Sequence, residues 1–260
     1  MYTKIIDFSR YSSIHIGEPT EVLIIQKGDT IPTDRYLIGG ANNILLSTQP
    51  PPLMMLGREF ATIDLDSDIL TIGASMPTGR VVSFARKNDI SGFEFFAKLP
   101  GTVGGMVAMN AGVKSYEIFN IIDSIEIDGE WIDRDEIEYG YRYTKLSGVV
   151  TAVRFVVSKG FSQTLLNELV SLRVNQPKEP SAGSIFKNPK GDAAGRLIEA
   201  TGLKGYRVGD MAWSDIHANF LVNLGNGSYD EAMELINLAK ERVYKKYDIS
   251  LVEEVKVLNA

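Results

Sequence analysis

The chain has 260 residues, 44% hydrophobic and 23% charged, an ordinary globular composition with room for two or three domains. A net charge of −6 and a pI near 5.1 argue against nucleic-acid binding as the main task, since neutralising phosphates needs clustered lysine and arginine. With no cysteine and only two histidines, His15 and His217, the chain excludes disulfides, iron–sulfur clusters, thiolate zinc sites and cysteine nucleophiles, and no metal site is expected. The first residues carry no basic-then-apolar signal pattern, and no apolar run approaches bilayer length, so a cytoplasmic protein without a membrane partner is expected.

Up to about residue 56 the pattern predicts short strands, at 21–25 and 36–38. His15, between Ile14 and Ile16, reads as a half-exposed strand position. The stretch IGGANN, residues 38–43, follows one apolar run and precedes another, Ile44-Leu45-Leu46. No helical pattern follows, so it is not a Rossmann fingerprint. It suits a phosphate-binding turn between strands and equally a plain hairpin turn. Pro50, Pro51 and Pro52 form a stiff connector and a candidate boundary. Residues 61–65 and 69–73 alternate like paired strands, and 78–87 has helical spacing with Thr78 as its candidate cap.

KLPGTVGGMVAMNAG, residues 98–112, is dense in glycine and small apolar residues, too poor in side chain for ordinary core. Such a backbone can approach a ligand closely and offer N–H groups to an anion. Thr102 is placed to bond a phosphate or cap a short helix, and Asn110 supplies an amide. The plainer reading, a glycine-rich turn between strands, stands at even weight on glycine density alone. Two such loops in one chain suggest a dinucleotide rather than a lone phosphate. Beyond them, 121–131 predicts a hairpin turning at Asp128-Gly129, 148–157 a strand and 161–174 a helix. Asn175-Gln176-Pro177 marks a second boundary. A short helix at 193–200, a strand at 220–223, an amphipathic helix from Ser228 with a Ser228/Glu231 capping box, and a final strand at 251–258 complete an α+β chain.

Three places carry candidate chemistry. In YGYRYT, residues 139–144, Arg142 sits between tyrosines and strand patterns, held and partly desolvated, to stabilise an oxyanion or simply to stack. In SAGSIFKNP, residues 181–189, Ser184 could expose a hydroxyl at a rim; with no triad histidine nearby acyl-enzyme chemistry is poorly supported, and a turn serine is the plainer reading. In LVEEVKV, residues 251–257, alternation puts Glu253 on the apolar face with Leu251, Val255 and Val257, so periodicity does not single out Glu254.

Taken in order, IGGANN, LPGTVGGMVAMNAG, YGYR, PSAGSIFKNP, the stretch from GRLIEATGLKG to HANFLVN, and LVEEVKV resemble the UDP-N-acetylenolpyruvoylglucosamine reductase family over most of the chain. The compact length resembles its shorter subclass, without the extra tyrosine-bearing loop. The resemblance implies an FAD-binding fold of the vanillyl-alcohol oxidase type in two subdomains, residues 1–55 with 250–260 returning to it and 56–174, followed by a C-terminal α+β substrate-binding domain, 175–249. It implies non-covalent FAD, NADPH as hydride donor, and a nucleotide-sugar substrate acted on in peptidoglycan precursor synthesis by a monomer. FAD contacts are implied for Gly39, Gly40, Ala41, Asn42, Asn43, Pro100, Gly101, Thr102, Val103, Gly104, Gly105, Asn110, Ala111 and Gly112. Where the family has Gly-Ser-Asn this chain has Gly40-Ala41-Asn42-Asn43, so one hydroxyl contact to the diphosphate is expected to be missing. The implied roles are enolate stabilisation for Arg142 and Glu254 and proton delivery for Ser184, with Lys187, Asn188 and Arg173 binding substrate. An FAD-linked oxidase or dehydrogenase of the same superfamily, or a non-catalytic nucleotide-binding module, are the alternatives.

Overall fold

The computed structural model describes residues 1–172 and 174–260 of the chain, and the fold is α+β. Two units form, each assembled from three stretches: Met1–Lys4, Val22–Gly40 and Pro52–Val174 in the first; Ile5–Glu21, Ala41–Pro51 and Asn175–Ala260 in the second.

The first unit is built on an antiparallel sheet in the order Glu130–Asp133, Ser124–Ile127, Val150–Val156, Ile69–Gly73, Ile63–Asp66. The Asp128-Gly129 turn is where the sequence places it. Both residues are left-handed, with φ of 51° and 93°, the backbone a two-residue hairpin turn needs to match the twist of its strands. Period-two alternation buries Leu70, Ile72, Ile125, Val153 and Phe155 on one face. Against this core packs the helix Thr78–Lys87 through Val81, Val82 and Ala85, with Phe93, Phe96 and Phe155 meeting edge to face. Thr78 is not its cap. Pro77 takes the N-cap position, while the Thr78 hydroxyl donates to the Leu99 carbonyl at 2.7 Å and ties the helix to the glycine stretch. Residues 22–25 pair in parallel with the strand Leu53–Leu56, which also carries Tyr36–Leu37 in parallel. That ladder aims the chain leaving Leu37 into Gly39-Gly40.

The periodic run at 161–174 forms the helix Gln163–Ser171, capped by Ser162. Its entry is fixed by a buried carboxylate: Glu94 accepts from Ser162 N and from Gly92 N, both at 2.8 Å. Glu94→Gln would set an amide N–H₂ against one of those donors. Unfolding in urea should then show a loss of about 1–3 kcal/mol, with ligand binding by the folded protein unchanged; an unaltered midpoint would mean that the carboxylate is not needed there.

The second unit holds the antiparallel sheet Ser181–Ser184, Phe220–Asn223, Met211–Trp213, Arg207–Val208. The helix Tyr229–Tyr247 starts with the expected capping box and buries Leu235, Ile236, Ala239 and Val243, beside Leu197, Ile198 and Trp213. Two expectations are corrected here. His15 is exposed but not on a strand: it has φ of 57°, in a turn whose carbonyls, at Ile14 and His15, accept from Asn223 Nδ2. The final strand is only Lys256–Leu258, pairing in parallel with Ile44–Leu46. Before it the chain bends, because Glu254 N and Val255 N both donate to one carbonyl, that of Ile185. The strands flanking IGGANN therefore lie in different ladders and form no hairpin with each other.

Candidate active site

In the first unit the two glycine stretches meet. Gly39 lies so close to Thr102 that a Cβ built on it would stand 2.6 Å from the threonine Oγ1. A side chain at residue 39 would have to displace that hydroxyl. Thr102 caps the short helix Val103–Ala108, its hydroxyl accepting from Gly105 N, as the sequence suggests. A hydroxyl that accepts one bond keeps its proton to donate. The helix does not offer its first amides to an anion, however. Val103 N and Gly104 N donate to the carbonyls of Met76 and Ala74, because the helix start packs onto that segment. What the stretch presents outward is Pro100, Gly105 and Ala108, positions with little side chain over the backbone.

Asn110 is fully buried with φ of 39°. Its Nδ2 donates to Glu117 Oε2 at 2.8 Å and to the Gly140 carbonyl at 3.1 Å, and its Oδ1 accepts from Phe119 N at 3.3 Å. The side chain thus braces the loop from within. The YGYRYT stretch is a tight hairpin, Tyr139–Gly140 against Tyr143–Thr144, and Arg142 occupies its turn with φ of 55°. The guanidinium donates to the carbonyls of Asn110, at 3.3 Å, and Gly112, at 2.8 Å, and stands 3.7 Å from the Glu117 carboxylate. The Tyr141 ring lies 5.1 Å from it, and the side chain is 18% exposed. Arg142 is therefore a fixed, partly desolvated cation joined to the end of the glycine stretch. Glu117 was not legible as its partner; nothing local in Tyr116-Glu117 marks it. Thr144 adds a second tie, donating to the Val107 carbonyl at 2.7 Å.

In the second unit, Ala41-Asn42-Asn43 continues from Gly40. Ala41 is buried in the left-handed region, φ 52°, and its carbonyl accepts from Ser13 N. Asn43 donates from Nδ2 to the Glu254 carbonyl at 3.0 Å, and Lys256 N donates back to the Asn43 carbonyl at 3.0 Å. Its amide thus fixes the main chain of a candidate catalytic residue.

Ser184 ends a strand broken by a bulge: Ser181 pairs with Val222 and Ser184 with Phe220, with the register shifted between them, and Gly183 turns at φ 79°. Bulges re-aim side chains in this way. The next residue, Ile185, accepts Glu254 N at 2.8 Å, Phe186 bridges to Glu253, and Lys187 N donates to the Val252 carbonyl. This short two-stranded contact sets the backbone of Glu254 beside Ile185, the residue after Ser184. Glu253, which alternation put on the apolar face, is instead ion-paired with Lys240. Asn188 accepts Ala194 N on its Oδ1 at 3.0 Å, which leaves the exposed residue's Nδ2 as its outward donor. Arg173 lies outside the described residues.

His217 accepts Asn219 N on its Nδ1, and burial pushes its imidazole below the usual range. The native state therefore keeps it neutral while the unfolded chain takes a proton near its ordinary value. Stability should be full above about pH 6.5 and fall as the pH drops below it, until the folded group also protonates. Urea midpoints across that window should show the loss in the parent and less of it in His217→Gln; equal losses would remove His217 as the cause. Among the described residues no cluster of three His, Asp or Glu side chains could hold a metal ion, and no helix is long and apolar enough to cross a membrane.

Residues 176–258 match the family model described as UDP-N-acetylenolpyruvoylglucosamine reductase, C-terminal domain. The UDP-N-acetylenolpyruvoylglucosamine reductase of Helicobacter hepaticus is 45% identical over 262 residues, covering 99% of this chain and 100% of the relative. That of Helicobacter pylori strain 26695 is 42% identical over 258 residues, with 99% and 100% covered. The crystal structure of UDP-N-acetylenolpyruvylglucosamine reductase from Thermus caldophilus matches with a TM-score of 0.86 at 31% identity, covering 99% of both chains.

Proposed function

We propose, from the premise that the chain belongs to the UDP-N-acetylenolpyruvoylglucosamine reductase family, that it reduces UDP-N-acetylglucosamine enolpyruvate to UDP-N-acetylmuramate with NADPH, a step in making peptidoglycan precursors. Its length, matching the Helicobacter relatives end to end, places it in the compact subclass. The observation that carries the reading is the junction at Ile185, which holds the Ser184 hydroxyl and the Glu254 carboxyl on neighbouring, hydrogen-bonded backbone.

The residues of the first unit fit FAD. A Cβ-free contact at Gly39 on Thr102, a hydroxyl able to donate, and the exposed, side-chain-free Gly105 suit a diphosphate approached closely by main chain. Gly39, Gly40 and Pro100–Gly105 would hold it non-covalently, with Asn110, Ala111 and Gly112 supporting that stretch and Ala41–Asn43 continuing it. When bound, FAD supplies the hydride, drawn from NADPH, to the vinyl carbon farther from the substrate carboxylate. Arg142 stabilises the negative charge that builds on the carboxylate side, with a charge already fixed before reaction. Glu254, as a protonated acid or through a hydrogen bond, assists. Ser184 gives its hydroxyl proton to the other carbon, forming a C–H bond as its O–H bond breaks. Lys187 and Asn188, with Arg173, bind the nucleotide sugar. On this reading residues 1–55 with 250–260 and residues 56–174 serve the flavin, 175–249 serve the substrate, and the enzyme is a cytoplasmic monomer.

Two measurements test this. The cofactor released on heat denaturation should be FAD, and NADPH consumption should require the enolpyruvyl substrate; consumption driven by oxygen alone would favour an oxidase. Gly39→Ala should raise the dissociation constant of FAD by at least about tenfold, roughly 1.4 kcal/mol, while leaving the fold intact. Unchanged affinity would remove the glycine contact from the cofactor site.

A further inference from the structure

We infer that Asn219 is a positioning residue for proton delivery: its side-chain amide stands in for a missing strand and sets the backbone that carries Ser184 and faces Glu254. The inference rests on the assignment of Ser184 as proton donor.

The ladder between Ser181–Ser184 and Phe220–Asn223 stops at the Ser184–Phe220 pair, because the neighbouring chain turns at His217. Beyond that point Ile185 and Phe186 would lose their partner on this edge. Asn219 replaces it. Its main-chain carbonyl accepts Ile185 N at 2.9 Å, and its side chain then completes a peptide-like pair with Phe186. Phe186 N donates to Asn219 Oδ1 at 3.0 Å, and Asn219 Nδ2 donates to the Phe186 carbonyl at 2.8 Å. A primary amide has the donor and acceptor of a peptide group in the same plane, so one side chain continues the sheet by one residue.

Asn219 is 3% exposed and is held in turn. Its own N–H donates to His217 Nδ1 at 3.2 Å, and Phe220 N closes the turn onto the His217 carbonyl at 2.9 Å. The opposite edge of the same segment carries the bend of Glu253 and Glu254: Phe186 bridges Glu253, and the Ile185 carbonyl accepts Glu254 N. The strip Ile185-Phe186 therefore has the Asn219 turn on one side and the Glu254 bend on the other. Displacing Phe186 moves the hydroxyl and the carboxyl together, and misplacement by about 1 Å is enough to cost about 10²-fold in a proton transfer.

The test uses the flavin-loaded enzyme in anaerobic stopped flow, following the NADPH half-reaction and the enolpyruvyl half-reaction separately. Asn219→Ala should leave the first within about twofold and slow the second by about 10²-fold. Introduced into Ser184→Ala, it should cost little more, because both substitutions disable one step. Asn219→Asp supplies a readout that loosened packing would not give. Ionised, the carboxylate faces the Phe186 carbonyl and repels it; protonated, it restores one donor and one acceptor in the amide's places. Its second half-reaction, relative to the parent at each pH, should recover as the pH is lowered. Equal losses in both half-reactions of Asn219→Ala, an unaffected second half-reaction, or an Asn219→Asp deficit independent of pH would each overturn the inference. If Asn219→Ala fails to hold flavin, the Asn219→Asp profile decides. Should Ser184→Ala itself leave the second half-reaction intact, the proton-donor assignment fails first, whatever Asn219 does.

Discussion

Ser184→Ala is expected to split the catalytic cycle in two. The NADPH half-reaction should proceed at nearly the parent rate, and the enolpyruvyl half-reaction should slow by about 10²–10⁴-fold, the usual worth of a positioned general acid. The reasoning is local. The serine lies in the second unit, directly after the bulge at Gly183, and its backbone neighbour Ile185 is shared with Glu254. A hydroxyl is a weak acid in water, so the site must favour its ionisation for the role to work. Anaerobic stopped-flow absorbance reads each half directly. If both halves slow equally, Ser184 is structural or acts on the cofactor rather than on the substrate carbon.

Arg142→Ala should keep the flavin and lose about 10²–10³-fold in the enolpyruvyl half-reaction, the range for removing one preorganised stabiliser of developing charge. The structure makes the first half of that expectation a demanding one, because Arg142 also donates to the carbonyls of Asn110 and Gly112. Retention is expected since the stretch keeps its other ties: Thr102 on Gly105, Gly104 on Ala74, Asn110 on Glu117 and Phe119, and Thr144 on Val107. Arg142→Lys should behave almost as badly as alanine, for an ammonium cannot span two carbonyls as a planar guanidinium does. Loss of flavin absorbance in either variant would make the clamp on the glycine stretch the dominant role of Arg142.

Elements whose signals are local were legible. The helix Thr78–Lys87, the capped helix Tyr229–Tyr247 and the Asp128-Gly129 hairpin follow from periodicity, a Ser/Glu box and a pair of turn residues. What failed depended on distant partners. LVEEVKV has the alternation of a strand, yet two successive amides, Glu254 N and Val255 N, converge on Ile185 and bend it, which no count of apolar residues reveals. That bend also answers what alternation could not: Glu253 turns to Lys240, leaving Glu254 beside the Ser184 segment. Thr78 looked like a cap because it opens the periodic run, but its hydroxyl bonds the Leu99 carbonyl instead.

The candidate site divides the same way. The glycine stretches announce themselves by lacking side chains, and the contact of Gly39 with Thr102 gives that poverty a physical reason. The asparagines were read as ligand contacts; in the fold, Asn43 and Asn110 bond the protein's own groups, and Asn219 was not singled out although its HANFLVN stretch was. An asparagine's two-sided amide serves a backbone as well as a phosphate, so the residue type alone did not reveal these protein partners.

The most direct measurement is an anaerobic absorbance titration of the purified protein, NADPH first and UDP-N-acetylglucosamine enolpyruvate second. One equivalent of NADPH should bleach the bound flavin, and one equivalent of the enolpyruvyl compound should restore its colour without air. A protein that carries no flavin, or whose colour returns only when oxygen is admitted, would contradict the account.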